Sequence, residues 1–194
     1  GAGGAGDGAA RLLPGVPLTR PRRRATTVVL AALLAATIGF VVWAVGIEPG
    51  WVVTRETRVP IARWPAELGP LRIAALADLH TGSPHITVAK VREIVASVNA
   101  AQPDLIVLLG DYVIHGVAGG RFVSIEETAA ALRDLRAPLG VFAVLGNHDW
   151  WYDGARCTRA LEAAGIRVLE DAAAEVTVGG RPLWIAGVGE LRTR

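Results

Sequence analysis

No methionine occurs anywhere in the 194 residues, position 1 included, and there is one cysteine, Cys157. A lone cysteine excludes an internal disulfide. It lies in the helical pattern ARCTRALEAAG and reads as a small packing residue. The missing initial methionine points to a processed start or to a fragment. Histidine is scarce too: His80, His85, His115 and His148 are the four, with none beyond position 148. A glycine-rich phosphate loop of the P-loop type is absent, which removes that class of nucleotide site. Charge is missing from one long stretch, ATTVVLAALLAATIGFVVWAVGI, between Ala25 and Ile47. A helix of about 20 apolar residues crosses a hydrocarbon core of about 30 Å, so residues 25–47 are expected to form one transmembrane helix.

That segment accounts for much of the 52% hydrophobic content. The charge also divides. Residues 1–24 carry five arginines against Asp7, a net +4, so the overall +2 leaves −2 for the rest. The basic balance therefore sits in the tail, and no nucleic-acid-binding surface is evident on the folded part. The run RPRRR reads as a positive-inside flank. It keeps residues 1–24, a Gly- and Ala-rich segment expected to be disordered, in the cytoplasm, and sends residues 48–194 across the membrane. A retained single-pass anchor is favoured because the apolar core exceeds a signal peptide's roughly 7–15 residues. The alternative, secretion after cleavage, rests on the small residues of Ala44-Val45-Gly46.

After the anchor, VVTRETRVP alternates as a strand would. A rhythm starts at Leu71. LRIAALA, PDLIVLLG and LGVFAVLG are short apolar runs that read as buried strands. ITVAKVREIVASVNAA has a helical stripe at Val88, Val91, Ile94, Val95 and Val98. SIEETAAALRDLRA opens with Ser124 and Glu127 in capping-box spacing. GARCTRALEAAG is a helix that Gly165 can end, IRVLE a short strand, and AEVTVGGRPLWIAGV a hairpin around Gly179-Gly180. The repetition predicts an α/β layered fold with a mixed sheet.

Each of the three apolar runs ends in polar residues: Asp78 and His80 in ALADLH, Asp111 in LLGDYV, and Asn147, His148 and Asp149 in VLGNHD. In open α/β sheets, strand carboxyl ends gather at one edge. Gly110 and Gly146, just before the polar residues, allow a tight turn and a close approach. On an extended chain Asp78 and His80 point the same way and can grip one ion. An aspartate on the next loop can bridge two ions, and an asparagine can supply an amide oxygen. Oxygen and imidazole donors suit Mn, Fe, Zn or Mg. One strand-terminal aspartate alone is usually a turn former; three such endings in succession favour a metal site.

DLH, GDYV and GNHD in this order, each after an apolar strand, resemble the calcineurin-like metallophosphoesterase superfamily. The wording ADLHTGSPHI, PDLIVLLGDYV and GNHDWWYDG behind an apolar segment is similar to its bacterial membrane-associated phosphodiesterase branch, over about residues 50–190. The resemblance implies a layered β-sandwich flanked by helices. It implies Asp78 and His80 on a first divalent ion, Asp111 bridging, Asn147 on a second, His148 as phosphate contact and general acid, and Asp149 supporting His148. The implied activity is metal-dependent hydrolysis of a phosphoester, best matched by a phosphodiester, in which two ions activate water. The family's further histidines, including Gly-His-x-His, have no counterpart here, and the loop at Gly189-Glu190 also departs from the pattern. A domain incomplete at its C-terminus, inactive as this chain alone, is therefore expected. A non-catalytic, membrane-tethered binding remnant and a phosphomonoesterase or protein phosphatase are the alternatives. His85 and His115 read first as loop residues, with His85 a candidate for the pocket mouth. Trp150 and Trp151 read first as packing residues, with stacking on substrate as the alternative.

Overall fold

A computed structural model describes residues 21–189 together with Gly1, Gly3 and Gly4. The chain divides into two compact units, residues 1–49 and 50–194. The expected disorder of the N-terminal tail falls largely outside the described residues, as does Glu190.

The first unit is helical. Helix α1 runs Pro21–Val42 and continues as a π-helical turn, Trp43–Ile47. It begins four residues before the charge-free run, because proline is well tolerated in a helix's first turn, where its missing N–H has no partner to lose. Arg24–Gly50 is long and apolar enough to cross a membrane by length and composition. Its apolar side chains, Leu33 and Phe40 among them, are exposed.

The second unit alternates strand and helix: β1 Ile73–Leu76, α2 Val88–Ala100, β2 Leu105–Leu108, α3 Ile125–Leu132, β3 Val141–Ala143, α4 Asn147–Ala163 and β4 Arg167–Val168. The four strands are parallel, in the order β1-β2-β3-β4. Because strand order follows chain order, crossovers of one hand place successive helices on one face. The larger core lies on that face. It joins Ile106, Leu108 and Ala143 of the sheet to Val91 and Val95 of α2, Ile125 and Leu132 of α3, and Cys157 and Leu161 of α4. Each fully buried Leu or Ile contributes about 1.5–3 kcal/mol relative to exposure.

The opposite face carries a smaller cluster, Leu105, Phe142, Leu169 and Ala174. It is covered by the antiparallel hairpin β5 Ala172–Val178 and β6 Arg181–Gly187. Gly179 and Gly180 turn that hairpin with φ of 55° and 80°, the left-handed pair that a two-residue turn needs. An α/β layered fold results as anticipated, but the hairpin forms its own two-stranded sheet instead of joining the parallel strands in one mixed sheet.

Three local expectations change. VVTRETRVP forms no strand: residues 51–61 are exposed and unpaired in any described sheet. Alternation alone cannot hold an extended segment without a neighbour to bond. Strand β1 is not buried on both faces, since Ile73 is 51% exposed at the sheet edge beyond the reach of the second cluster. Helix α4 starts at Asn147 rather than near Gly154, and absorbs the polar motif into its first turn before a break at Asp153.

Candidate metal centre

The carboxyl ends of β1, β2 and β3 adjoin, and the loops that follow β1 and β2 go on pairing. Asp78 N–H donates to Gly110 O at 3.2 Å, His80 N–H to Asp111 O at 2.9 Å, and Thr81 N–H to Tyr112 O at 2.9 Å. This ladder continues as a bridge between Thr81 and Val113. It fixes the DLH segment alongside the GDYV segment.

The backbone there is strained. Asp78, His80 and Asp111 have φ of 54°, 40° and 59°; among the described residues only Gln102 and Asp171 are other non-glycine residues with positive φ. Each such residue costs roughly 1–3 kcal/mol and persists only where its surroundings over-determine it. Asp149 supplies much of that determination. Fully buried in the first turn of α4, its Oδ2 accepts from Asp111 N at 2.8 Å and Gly146 N at 2.9 Å. Its Oδ1 accepts from Tyr112 N at 2.9 Å and Val113 N at 3.3 Å. Burial pushes the Asp149 carboxyl up from its ordinary value, and the backbone donors pull against that rise. Both oxygens thus serve the backbone of the β2 and β3 loops, where the family resemblance implied support of His148.

Asp111 is held from two sides. Its Oδ1 accepts from His148 N at 3.0 Å, in the donor-rich first turn of α4. Its Oδ2 lies 3.6 Å from His80 Nε2. Gly146 lets the two loops meet, for a Cβ there would strike the Asp111 carboxylate. Gly110, at φ 94°, abuts the Gly146 backbone in the same way.

The structure brings His80, Asp111 and His148 together, with one ligating atom from each within 4.8 Å of the others. The two imidazoles meet edge to face, 4.9 Å between centroids. His80 Nε2 is buried and without a hydrogen-bond partner. An unpartnered buried nitrogen is costly, whereas a cation beside it would restore the lost interaction. Two imidazoles and a carboxylate also match the donor preference of Mn, Fe and Zn. These residues fit a divalent ion.

Asp78 stands two residues before His80 but is exposed and outside this convergent group. The reason is local: neither residue is extended, so the period-two argument for a shared direction does not hold. Asn147 is half-buried, the first residue of α4 and the neighbour of His148. His148 itself, implied as phosphate contact and general acid, falls within the ligating group.

Beside His148 opens a cleft of about 540 Å³, lined by His115, His148, Trp151 and Tyr152. His115, a loop residue by sequence, thus lines a cleft, and so does Tyr152, which no motif marks. His85 is half-buried and is not among the lining residues. Trp150 packs against the core, as expected, but Trp151 is 68% exposed and meets the His148 ring at 5.0 Å.

A family description, calcineurin-like phosphoesterase, matches residues 71–181, the span that holds every residue of this centre. The chain belongs to the calcineurin-like phosphoesterase family. A metallophosphoesterase-named protein of Caenorhabditis elegans is 31% identical over 162 residues, 82% of this chain and 32% of that one. The transmembrane protein with metallophosphoesterase domain of Danio rerio is 28% identical over 170 residues, 86% of this chain and 37% of its own. Phosphodiesterase YaeI of Escherichia coli is 30% identical over 151 residues, 74% and 52% respectively. The chain spans about a third of the length of the first two relatives. The convergent histidines and carboxylate of this family member are its candidate metal-binding group.

Proposed function

We propose that this calcineurin-like phosphoesterase hydrolyses phosphodiesters at the outer face of a membrane, with two divalent cations and with α1 as a single-pass anchor. The observation that carries the reading is the buried His80 Nε2, without a hydrogen bond and 3.6 Å from Asp111 Oδ2, grouped with His148. Asp78, which stands outside the convergent group in this structure, would join His80 on one cation, Asp111 would bridge to the second, and Asn147 would complete the set. When bound, such cations supply Lewis-acid polarisation of a phosphoryl oxygen and lower the pKa of water.

The chain's own residues do the rest. Asp111 presents Oδ2 to the site while Oδ1 stays bonded to the α4 backbone, so its orientation is fixed before substrate arrives. His148 belongs both to the ligating group and to the cleft lining, from where it can give a proton to the leaving oxygen. Asp149 holds the loop backbones that carry Asp111. A relative named as a phosphodiesterase supports the diester preference, and a relative named as a transmembrane protein supports the anchor. The arginine flank supports an extracytoplasmic catalytic unit.

The test is hydrolysis of bis(4-nitrophenyl) phosphate and of 4-nitrophenyl phosphate by the full-length protein in detergent, with Mn²⁺ or with chelator. Faster diester turnover is expected with Mn²⁺. Asp111→Asn, which keeps an oxygen for His148 N–H, should lose more than the roughly 10–100-fold typical of outer-shell changes. Turnover unaffected by chelator, or retained in Asp111→Asn, would refute the reading.

A further inference from the structure

His115 and Tyr152 line the cleft, and Phe122 packs against both to complete an aromatic group. His115 stacks on Phe122 at 4.6 Å and 21°, and Tyr152 lies 5.2 Å from His115 and 5.6 Å from Phe122. Trp151 stands apart from this group, against His148 and largely exposed. These rings gather beside His148, so the cleft they line opens directly on the ligating group.

The lining defines that occupant. The cleft of about 540 Å³ is the size of a small-molecule site. Its four lining residues include no lysine, arginine or carboxylate. The Arg156 guanidinium, 5.3 Å over the Tyr152 ring, is already paired with Glu126 at 2.6 and 3.0 Å. A second phosphate or another charged group would find no counter-charge there. A flat ring would find faces on which to stack.

We infer that the cleft lined by His115, Trp151 and Tyr152 is a leaving-group subsite that selects phosphoesters bearing a planar aromatic ring, a nucleoside being the biological form. The inference rests on the phosphoesterase reading, because His148 joins the cleft to the ligating group. It names the kind of substrate that reading leaves open.

The experiment measures binding rather than turnover. Adenosine 5′-monophosphate, ribose 5-phosphate and octyl phosphate are titrated calorimetrically into the full-length protein with Mn²⁺. Adenosine 5′-monophosphate is expected to bind about tenfold more tightly than ribose 5-phosphate, the gain typical of a base stacked on aromatic side chains. In Trp151→Ala and in His115→Ala that ratio should fall toward one. Both positions are exposed, so the variants are expected to fold. Equal affinities in the wild type, an undiminished ratio in both variants, or tightest binding of octyl phosphate would overturn the inference. Failure of the phosphoesterase reading shows separately, as absence of Mn²⁺-dependent hydrolysis, and leaves the affinity ratio readable.

Discussion

Asp149 looks in the sequence like a partner for its neighbour His148, yet its carboxylate is spent on four backbone N–H groups. Hydrogen bonds to a charged acceptor are each worth about 1.5–3 kcal/mol. Asp149→Asn, which sets an amide NH₂ against two of these donors, should lower unfolding stability by about 3 kcal/mol, read from denaturant midpoints. Gly146 is a companion case. Its backbone suits any residue, but there is no space, because a Cβ would meet the Asp111 carboxylate. Gly146→Ala is expected to cost about 1–3 kcal/mol by overpacking and to weaken Mn²⁺ binding as Asp111 is displaced. A variant with unchanged Mn²⁺ affinity would separate Asp111 from the centre. Cys157 offers a chemical check. Burial pushes its thiol up from 9.0 to about 12. At pH 8 the folded chain then carries roughly a thousandfold less thiolate than the unfolded one, and iodoacetamide labelling should require unfolding. The sign of the linkage follows: relative to Cys157→Ala, the wild type loses stability as pH rises from 9 toward 12, since the unfolded thiol ionises first.

At the scale of elements, the strands β2 and β3 and helices α2 and α3 were legible because apolar runs and 3.6-residue stripes report burial directly. The Ser124 cap was legible as well: its Oγ accepts from Glu127 N at 3.3 Å, and Ser124→Ala should cost about 1 kcal/mol in denaturant unfolding. What misled was context. VVTRETRVP has a strand's alternation but no partner. The start of α4 was hidden because Gly-Asn-His-Asp reads as a turn, while Gly146 as N-cap and Asp149 reaching back to its N–H make it a helix start. The residues of the candidate centre were legible as strand endings; their geometry was not, since positive φ at Asp78 and His80 depends on pairing with a loop some thirty residues on. The aromatic cleft escaped notice because His115, Phe122 and Tyr152 share no motif and meet only through folding.

For the whole molecule, the proposed function assigns the two units different work. The arginine-flanked apolar helix is read as the anchor, and the catalytic unit as lying beyond it. The protein should therefore sediment with membranes after carbonate washing, and protease added to intact cells stripped of their outer barrier should reach the catalytic unit. Recovery in the carbonate supernatant would contradict the anchor. The central claim, that DLH, GDYV and GNHD converge into one divalent-metal centre, is met most directly by Mn²⁺ titration of the full-length protein, with free ion followed by electron paramagnetic resonance. Saturable binding that is lost in both His80→Ala and Asp111→Asn, each still folded by circular dichroism, is the predicted result. Mn²⁺ binding that survives both substitutions would contradict it.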